Sequence, residues 1–162
     1  MINSIQTNTI ECIVGRTELI HLLDNKELDA KDLVLISISE PVLEHYEDET
    51  LPDTYAKMFK GSIRCKFWDI EEKIGNYDVI DDELAELLQK FIVKHIKKRF
   101  VVQCRAGVSR SAGVGRAIEC IKYFGIGEEA KYNYLTSFNS EITQHSRYHP
   151  NMTVFDKLVK EY

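Results

Sequence analysis

Little in this chain marks it for export, for a membrane or for a metal. Its four cysteines, Cys12, Cys65, Cys104 and Cys120, include no C-x-x-C pair, so the usual spacing of a zinc knuckle or a dithiol redox motif is missing. No stretch approaches the roughly 18 apolar residues that suggest a membrane-crossing helix. The opening MINSIQTNTIECIVG lacks the basic region and long apolar run of a secretory leader. A reduced, cytoplasmic setting is therefore expected, with no metal, no cofactor and no membrane partner. Positive charge is not in excess either. The formal net charge is -5, which argues against a general affinity for nucleic acid or anionic lipid. The basic run KHIKKRF, 94–100, reads as a solvated helix end favoured by the helix dipole. Repeats, low-complexity tracts and linkers are absent. The 162 residues, 44% hydrophobic and 29% charged, suit one domain over 1–162 with its own core.

What is present is an alternation of strand and helix patterns. TIECIVG, 9–15, reads as a short strand. RTELIHLLDNKE, 16–27, reads as a helix with Leu19, Leu22 and Leu23 on one side. DLVLISISE, 32–40, is apolar and β-branched, and Pro41 closes it. Residues 42–61 are polar and irregular, with a short helix expected around DTYAKMFK. SIRCKFWDI, 62–70, alternates as a half-buried strand, placing Ile63, Cys65 and Phe67 inward and ending near Asp69. The spacing of Leu84, Leu87, Leu88, Phe91 and Ile92 predicts a helix over 81–99, with Asp81 or Asp82 as its N-cap. FVVQC, 100–104, fits the middle of a covered parallel sheet. Helices are expected over 111–125, ended by Gly125, over 128–138, and in TVFDKLVKEY, packed through Val154, Phe155, Leu158 and Val159. The order predicts a three-layer α/β domain: a central, mostly parallel sheet flanked by helices.

The chemistry concentrates in FVVQCRAGVSRSAG, 100–113. A strand delivers Cys104 to a turn of small residues, Arg110 follows, and a helix begins. Such a turn gathers backbone N–H groups around one point, and the helix N-terminus adds unpaired donors and a positive end. Gly107 eases the tight backbone path. An oxyanion fits that nest, and a helix N-terminus with a nearby arginine favours an ionised, nucleophilic thiol. The planar fork of Arg110 can hold two oxygens of a phosphate. The Ser111 hydroxyl can donate to the sulfur when it leaves. The plainer alternative is a cysteine buried as a small hydrophobe, which is the reading for Cys12, Cys65 and Cys120.

CRAGVSRSAG resembles the signature loop of the protein tyrosine phosphatase superfamily, Cys-x5-Arg-Ser/Thr. It is most similar to the small dual-specificity type, whose loop commonly reads HCxAGxSRS, and in particular to compact bacterial and phage members. KFWDIEE, a strand ending in an aspartate with acidic residues after it, and HPNMTVFDKL, an asparagine-containing helix start, add to the likeness. It covers residues 60 to 162 well and the first third by topology. The resemblance implies a cysteine-phosphatase-like fold and hydrolysis of phosphomonoesters through a phosphocysteine, without metal. It implies Cys104 as nucleophile, with Arg105, Ala106, Gly107, Val108, Ser109 and Arg110 as the phosphate cradle and Ser111 as the hydroxyl assisting breakdown of the intermediate. The family's general acid is an aspartate on the loop after the preceding strand. Asp69 fits best, ahead of Asp78 and then Glu71, Glu72, Asp81 and Asp82; the last two are better explained as helix-start residues.

One departure is Gln103, where the family usually has histidine. Glutamine donates hydrogen bonds but carries no charge, which predicts weaker support for the ionised sulfur. His21 and His95 lie on predicted helices. His145, Arg147 and His149 form a cluster that could reach the pocket but lacks the companions of a zinc site. Asn151 reads as a helix cap, and the resemblance adds a role in holding the signature loop. A short chain implies a shallow pocket open to phosphotyrosine, phosphoserine and phosphothreonine of a protein or peptide substrate. Arg105 is the loop's one further basic residue, which disfavours phosphoinositides. The alternatives are a phosphatase acting on an RNA 5′-phosphate or a small phosphorylated molecule, a phosphate-binding module without turnover, and a rhodanese or arsenate-reductase type of thiol enzyme. Low-molecular-weight phosphatases and arsenate reductases carry their loop near the N-terminus, and rhodanese-like enzymes lack the Ser111 role and the upstream acid.

Overall fold

A computed structural model of the chain describes residues 8–41 and 49–162. Four strands, β1 (Ile10–Gly15), β2 (Leu33–Ser39), β3 (Gly61–Lys66) and β4 (Arg99–Cys104), pair in the order β1-β4-β2-β3. Every pairing is parallel. The C-terminal ends of all the strands therefore meet along one edge, where ligands gather in open α/β sheets. β4 and β2 occupy the middle. β2 is buried along its whole length, and β4 is buried from Phe100 to Cys104, which is why both read as continuous apolar runs.

Two helical layers cover the sheet. Helices α1 (Arg16–Asp24) and α2 (Asp53–Ala56) lie on one face, over a core of Cys12, Val14, Leu35 and Val101. Helices α3 (Asp82–Lys94), α4 (Arg110–Tyr123) and α7 (Met152–Leu158) lie on the other, over Ile13, Ile36, Val102 and Cys104. Helices α5 (Glu128–Ser137) and α6 (Glu141–Gln144) pack beside α4. The expected three-layer α/β architecture with a parallel central sheet is the one observed. Among the described residues no helix is long and apolar enough to cross a membrane. The irregular stretch expected over 42–61 lies outside the described residues at 42–48; beyond it, α2 occupies part of DTYAKMFK.

Several boundaries differ from the sequence reading. α1 stops at Asp24 because Lys26 enters the left-handed region, with φ 55°. β3 ends at Lys66, three residues before the end expected near Asp69. Phe67 N–H still reaches Ser39 O at 3.1 Å, but its carbonyl turns to Arg110. α3 ends at Lys94, so the basic run is only partly a helix end: Arg99 and Phe100 start β4. The buried stripe of α3 is Ala85, Leu88, Gln89 and Ile92, and Leu87 faces outward at 55% exposure. Gln89 turns the helix, since its amide donates to Leu158 O at 2.9 Å and Lys160 O at 2.7 Å. It thereby satisfies carbonyls at the end of α7. α4 begins at Arg110 and ends at Tyr123, two residues before Gly125, and α6 is an additional short helix.

A buried carboxyl joins α4 to its neighbours. Glu119 Oε1 accepts from Tyr134 Oη at 2.7 Å and from Ser140 Oγ at 2.8 Å. Burial raises its pKa above the ordinary carboxyl value, and the two hydroxyls offset part of the rise. A carboxyl whose pKa is higher folded than unfolded stabilises the fold below its unfolded pKa, and that contribution is lost as pH rises through the folded one. Glu119→Gln keeps an acceptor oxygen and removes the titration. The Tm difference between variant and parent should shift in the variant's favour as pH rises from about 4 to 7; an unchanged difference would contradict the account.

Candidate functional site

The strand-to-helix turn of residues 104–110 sits at the sheet edge where β4 ends. Its shape is imposed from behind. Gly107 has φ 69°, and a Cβ there would stand 2.4 Å from Gly15 N; both conformation and space require glycine. A Cβ on Gly15 would in turn meet Arg105 O at 3.0 Å, and Arg16 N–H donates to that same oxygen at 3.1 Å. The turn is thus pressed against the junction of β1 and α1. On the α4 side, Ser109 O accepts from Gly113 N at 2.9 Å and from Asn151 N at 3.0 Å, and Val108 O accepts from His149 N at 3.0 Å. The turn's carbonyls are held by the surrounding protein, whereas the N–H groups of residues 105–109 donate to no other described residue.

Cys104 is 2% exposed, at the floor of this turn. Its sulfur lies 3.1 Å from Ser111 Oγ, with the thiol as donor; once the sulfur is ionised the hydroxyl becomes the donor. The remaining cysteines sit in different surroundings. Burial pushes the thiols of Cys12 and Cys65 up to about 12 and that of Cys120 up to about 11, so they stay neutral packing groups. Behind Cys104, Gln103 is buried, and its Oε1 accepts from Ser37 Oγ on the neighbouring strand. Gln103 is thus tied into a contact across the sheet.

Arg110 is 3% exposed. One terminal nitrogen donates to Phe67 O at 3.0 Å, and the other faces Glu40 Oε1 at 3.9 Å. Its buried Nε has no hydrogen-bond partner among the described residues. A buried orphan donor is costly, and here it belongs to the guanidinium beside the cup. Glu40 and the Phe67 carbonyl are site residues that sequence reasoning missed. Glu40 carried a weak signal, being an acidic residue directly after a central strand; a carbonyl carries none. Arg105 is an outer residue, its guanidinium 3.5 Å from Glu49.

Asp69 comes to the turn from the loop after β3. Its Oδ1 accepts from Ser109 Oγ at 2.8 Å and from Asn151 Nδ2 at 3.1 Å. Asn151 is almost fully buried. Its amide also donates to Ile70 O at 3.1 Å, while its Oδ1 caps α7 through Thr153 N and Val154 N. Thr153 Oγ1 adds a bond to Glu71 O at 2.7 Å. The expected cap and the contact with the signature loop are therefore one residue's work. The other acids lie elsewhere. Asp78 caps its own turn at Val79 N, Asp81 caps α3 at Leu84 N, and Asp82 pairs with Lys157 at 3.0 Å. Glu72 is exposed, as is the Glu71 side chain.

Within the histidine–arginine cluster, Arg147 pairs with Glu18 at 3.4 Å, and His145 lies against the Tyr148 ring. His149 bonds the 104–110 turn through its backbone N–H. His21 is exposed beside Asn25, and His95 is half-buried against Phe91. No group of three or more potential metal ligands comes together among the described residues.

No family model matches the sequence, and no curated protein matches it. Among solved structures, that of PTPMT1 is similar at 16% identity and TM-score 0.53, covering 94% of this chain and 88% of that one. The human tyrosine phosphatase-like serine/threonine/tyrosine-interacting protein is 15% identical at TM-score 0.45, covering 90% and 82%. Tk-PTP in its active form is 17% identical at TM-score 0.49, covering 98% and 97%. The likeness to PTPMT1 is one of fold: the three-layer, parallel-sheet architecture of cysteine phosphatases.

Proposed function

We propose that the chain is a cysteine-dependent phosphatase. Its substrates are phosphomonoesters on proteins, phosphotyrosine together with phosphoserine and phosphothreonine, and it works through a phosphocysteine. The observation that carries this reading is the state of Arg110, a buried guanidinium anchored at one nitrogen with its Nε unpaired. It stands at the end of a turn whose N–H groups donate to no described residue. A phosphate dianion satisfies both sets of donors at once.

The sulfur of Cys104 attacks phosphorus, an S–P bond forms, and the ester P–O bond breaks. Asp69, when protonated, delivers its proton to the departing oxygen. Arg110 and the turn's amides follow the charge as it spreads over the equatorial oxygens. In the second step a water oxygen attacks phosphorus, Asp69 takes the water's proton, and the S–P bond breaks with its electrons returning to sulfur. The Ser111 hydroxyl, 3.1 Å away, donates to that sulfur as it leaves. Inorganic phosphate is released.

Turnover of a generic aryl phosphate by the purified chain tests the reading, and its absence would end it. Asp69→Asn should lower kcat by about 10²- to 10³-fold on an alkyl ester such as phosphoserine, which needs a protonated leaving group. The loss should be several-fold smaller on an aryl ester whose aryloxide leaves unaided. Equal losses on the two esters would assign the proton to another group.

A further inference from the structure

An asparagine amide offers two donor hydrogens and two acceptor positions, and Asn151 uses all four. Its Oδ1 accepts from Thr153 N and Val154 N at the start of α7, both at 3.1 Å. Its Nδ2 donates to Asp69 Oδ1 and to Ile70 O, again at 3.1 Å. A flipped amide would set its NH2 against two N–H groups and its oxygen against two oxygens. The helix start therefore dictates that a donor faces Asp69. The backbone of Asn151 is fixed as well. Its N–H bonds Ser109 O at 3.0 Å, and its carbonyl oxygen lies only 2.5 Å from where a Cβ on Gly113 would stand, so that glycine admits the residue against α4.

Asp69 is held asymmetrically in consequence. Its Oδ1 accepts from Ser109 Oγ at 2.8 Å and from Asn151 Nδ2, whereas its Oδ2 accepts from no described residue. Each oxygen of a carboxyl has about two acceptor positions. Both of those on Oδ1 are filled, so a proton on this carboxyl belongs on Oδ2. The Asp69 side chain is otherwise exposed, and an exposed side chain on a loop has rotamer freedom to lose whenever it must act from one place. Here that freedom is removed in advance by two donors from two elements, the cup and the start of α7.

We infer that Asn151 and Ser109 are positioning residues for proton transfer: their side chains anchor Oδ1 of Asp69 and leave Oδ2 to carry the proton to the departing oxygen. The inference rests on the phosphatase reading, in which Asp69 is the acid. The Oδ2–H bond breaks as an O–H bond forms on the leaving group, and the two donors already at Oδ1 meet the charge left on the carboxylate. Both residues act through Asp69. A reacting group misplaced by about 1 Å can cost on the order of 10²-fold in rate, so the anchoring is worth a measurable share of what the acid itself supplies.

Asn151→Ser keeps a good helix cap but no amide donor for Asp69, and Ser109→Ala removes the other donor while keeping the backbone of the turn. Each should lower kcat on a phosphoserine peptide by about tenfold, with a several-fold smaller loss on an activated aryl phosphate. In a chain already carrying Asp69→Asn, neither should lower the rate on the peptide by more than about twofold further, because residues that act through one group are not additive with it. Equal losses on the two esters, or losses that multiply with that of Asp69→Asn, overturn the inference. The contact is read separately, without turnover, from the Asn151 side-chain amide signals in ¹⁵N–¹H spectra, identified by their loss in Asn151→Ser. Asp69→Ala should shift them, and unmoved signals overturn the anchoring. A parent chain that turns over neither ester ends the phosphatase reading and the proton-transfer role with it, while the amide signals still decide whether Asp69 is held.

Discussion

Replacing Cys104 with serine should abolish turnover, by about 10⁴-fold or more, as expected when the covalent nucleophile of an enzyme is removed. A serine hydroxyl in the same cup keeps its proton near neutral pH. Its only hydroxyl neighbour among the described contacts is Ser111, which is no general base. The substitution leaves the proposed phosphate-binding parts intact: Arg110 keeps its bond to Phe67 O, and Gly107 keeps its place against Gly15. Inorganic phosphate should therefore still raise the Tm of the variant, by the amount that its Kd and concentration dictate. Aryl phosphate assays and thermal shifts on the same preparation give both results. Unchanged turnover would remove Cys104 as nucleophile. Lost turnover together with lost phosphate binding would point instead to a collapsed cup.

Arg110→Lys should cost about 10²- to 10³-fold in kcat/KM, the usual price of losing a donor aimed at developing charge. The guanidinium serves three directions from one planar group. One nitrogen is fixed on Phe67 O, another faces Glu40, and Nε remains for a ligand. A lysine ammonium is a point donor and cannot serve a carbonyl, a carboxylate and two phosphate oxygens from separate directions. It would also leave the Phe67 carbonyl without its 3.0 Å partner. The loss should be similar on alkyl and aryl esters, unlike that of Asp69→Asn, because charge on the transferring group is common to both. Activity within tenfold of the parent on both esters would contradict the role given to Arg110.

The parts of the site legible in the sequence were those set by local chain order. A cysteine after an apolar strand, an arginine six residues on and a helix behind them are neighbours by connectivity, and so is an aspartate after a strand parallel to that one. Glu40, the Phe67 carbonyl and Gly15 reach the site from other segments, and two of them act through backbone that no residue type announces. The same contrast holds for the fold. Strand β2 was plain because burial on both faces leaves a continuous apolar run. The buried face of α3 was misjudged because Leu87 looks like core and Gln89 does not, yet Gln89 has two carbonyls of the C-terminal segment to satisfy. β3 ended early because the carbonyl of the next residue, Phe67, went to a side chain more than forty positions away in sequence.

The C-terminal helix has a bearing on how this protein would fail. Asn151 and Thr153, at its first turn, grip residues 69 to 71 by their side chains, while the turn after Cys104 is held there by the Asn151 backbone N–H and, on its other side, by Gly15 and Arg16. Loosening of that helix would thus free Asp69, the proposed proton donor, before the sulfur and its turn, which keep their hold on Gly15 and Arg16. On warming, such a molecule would stop cleaving serine esters while continuing to consume activated aryl ones. Thermal inactivation followed with a single chromogenic substrate would then understate the damage.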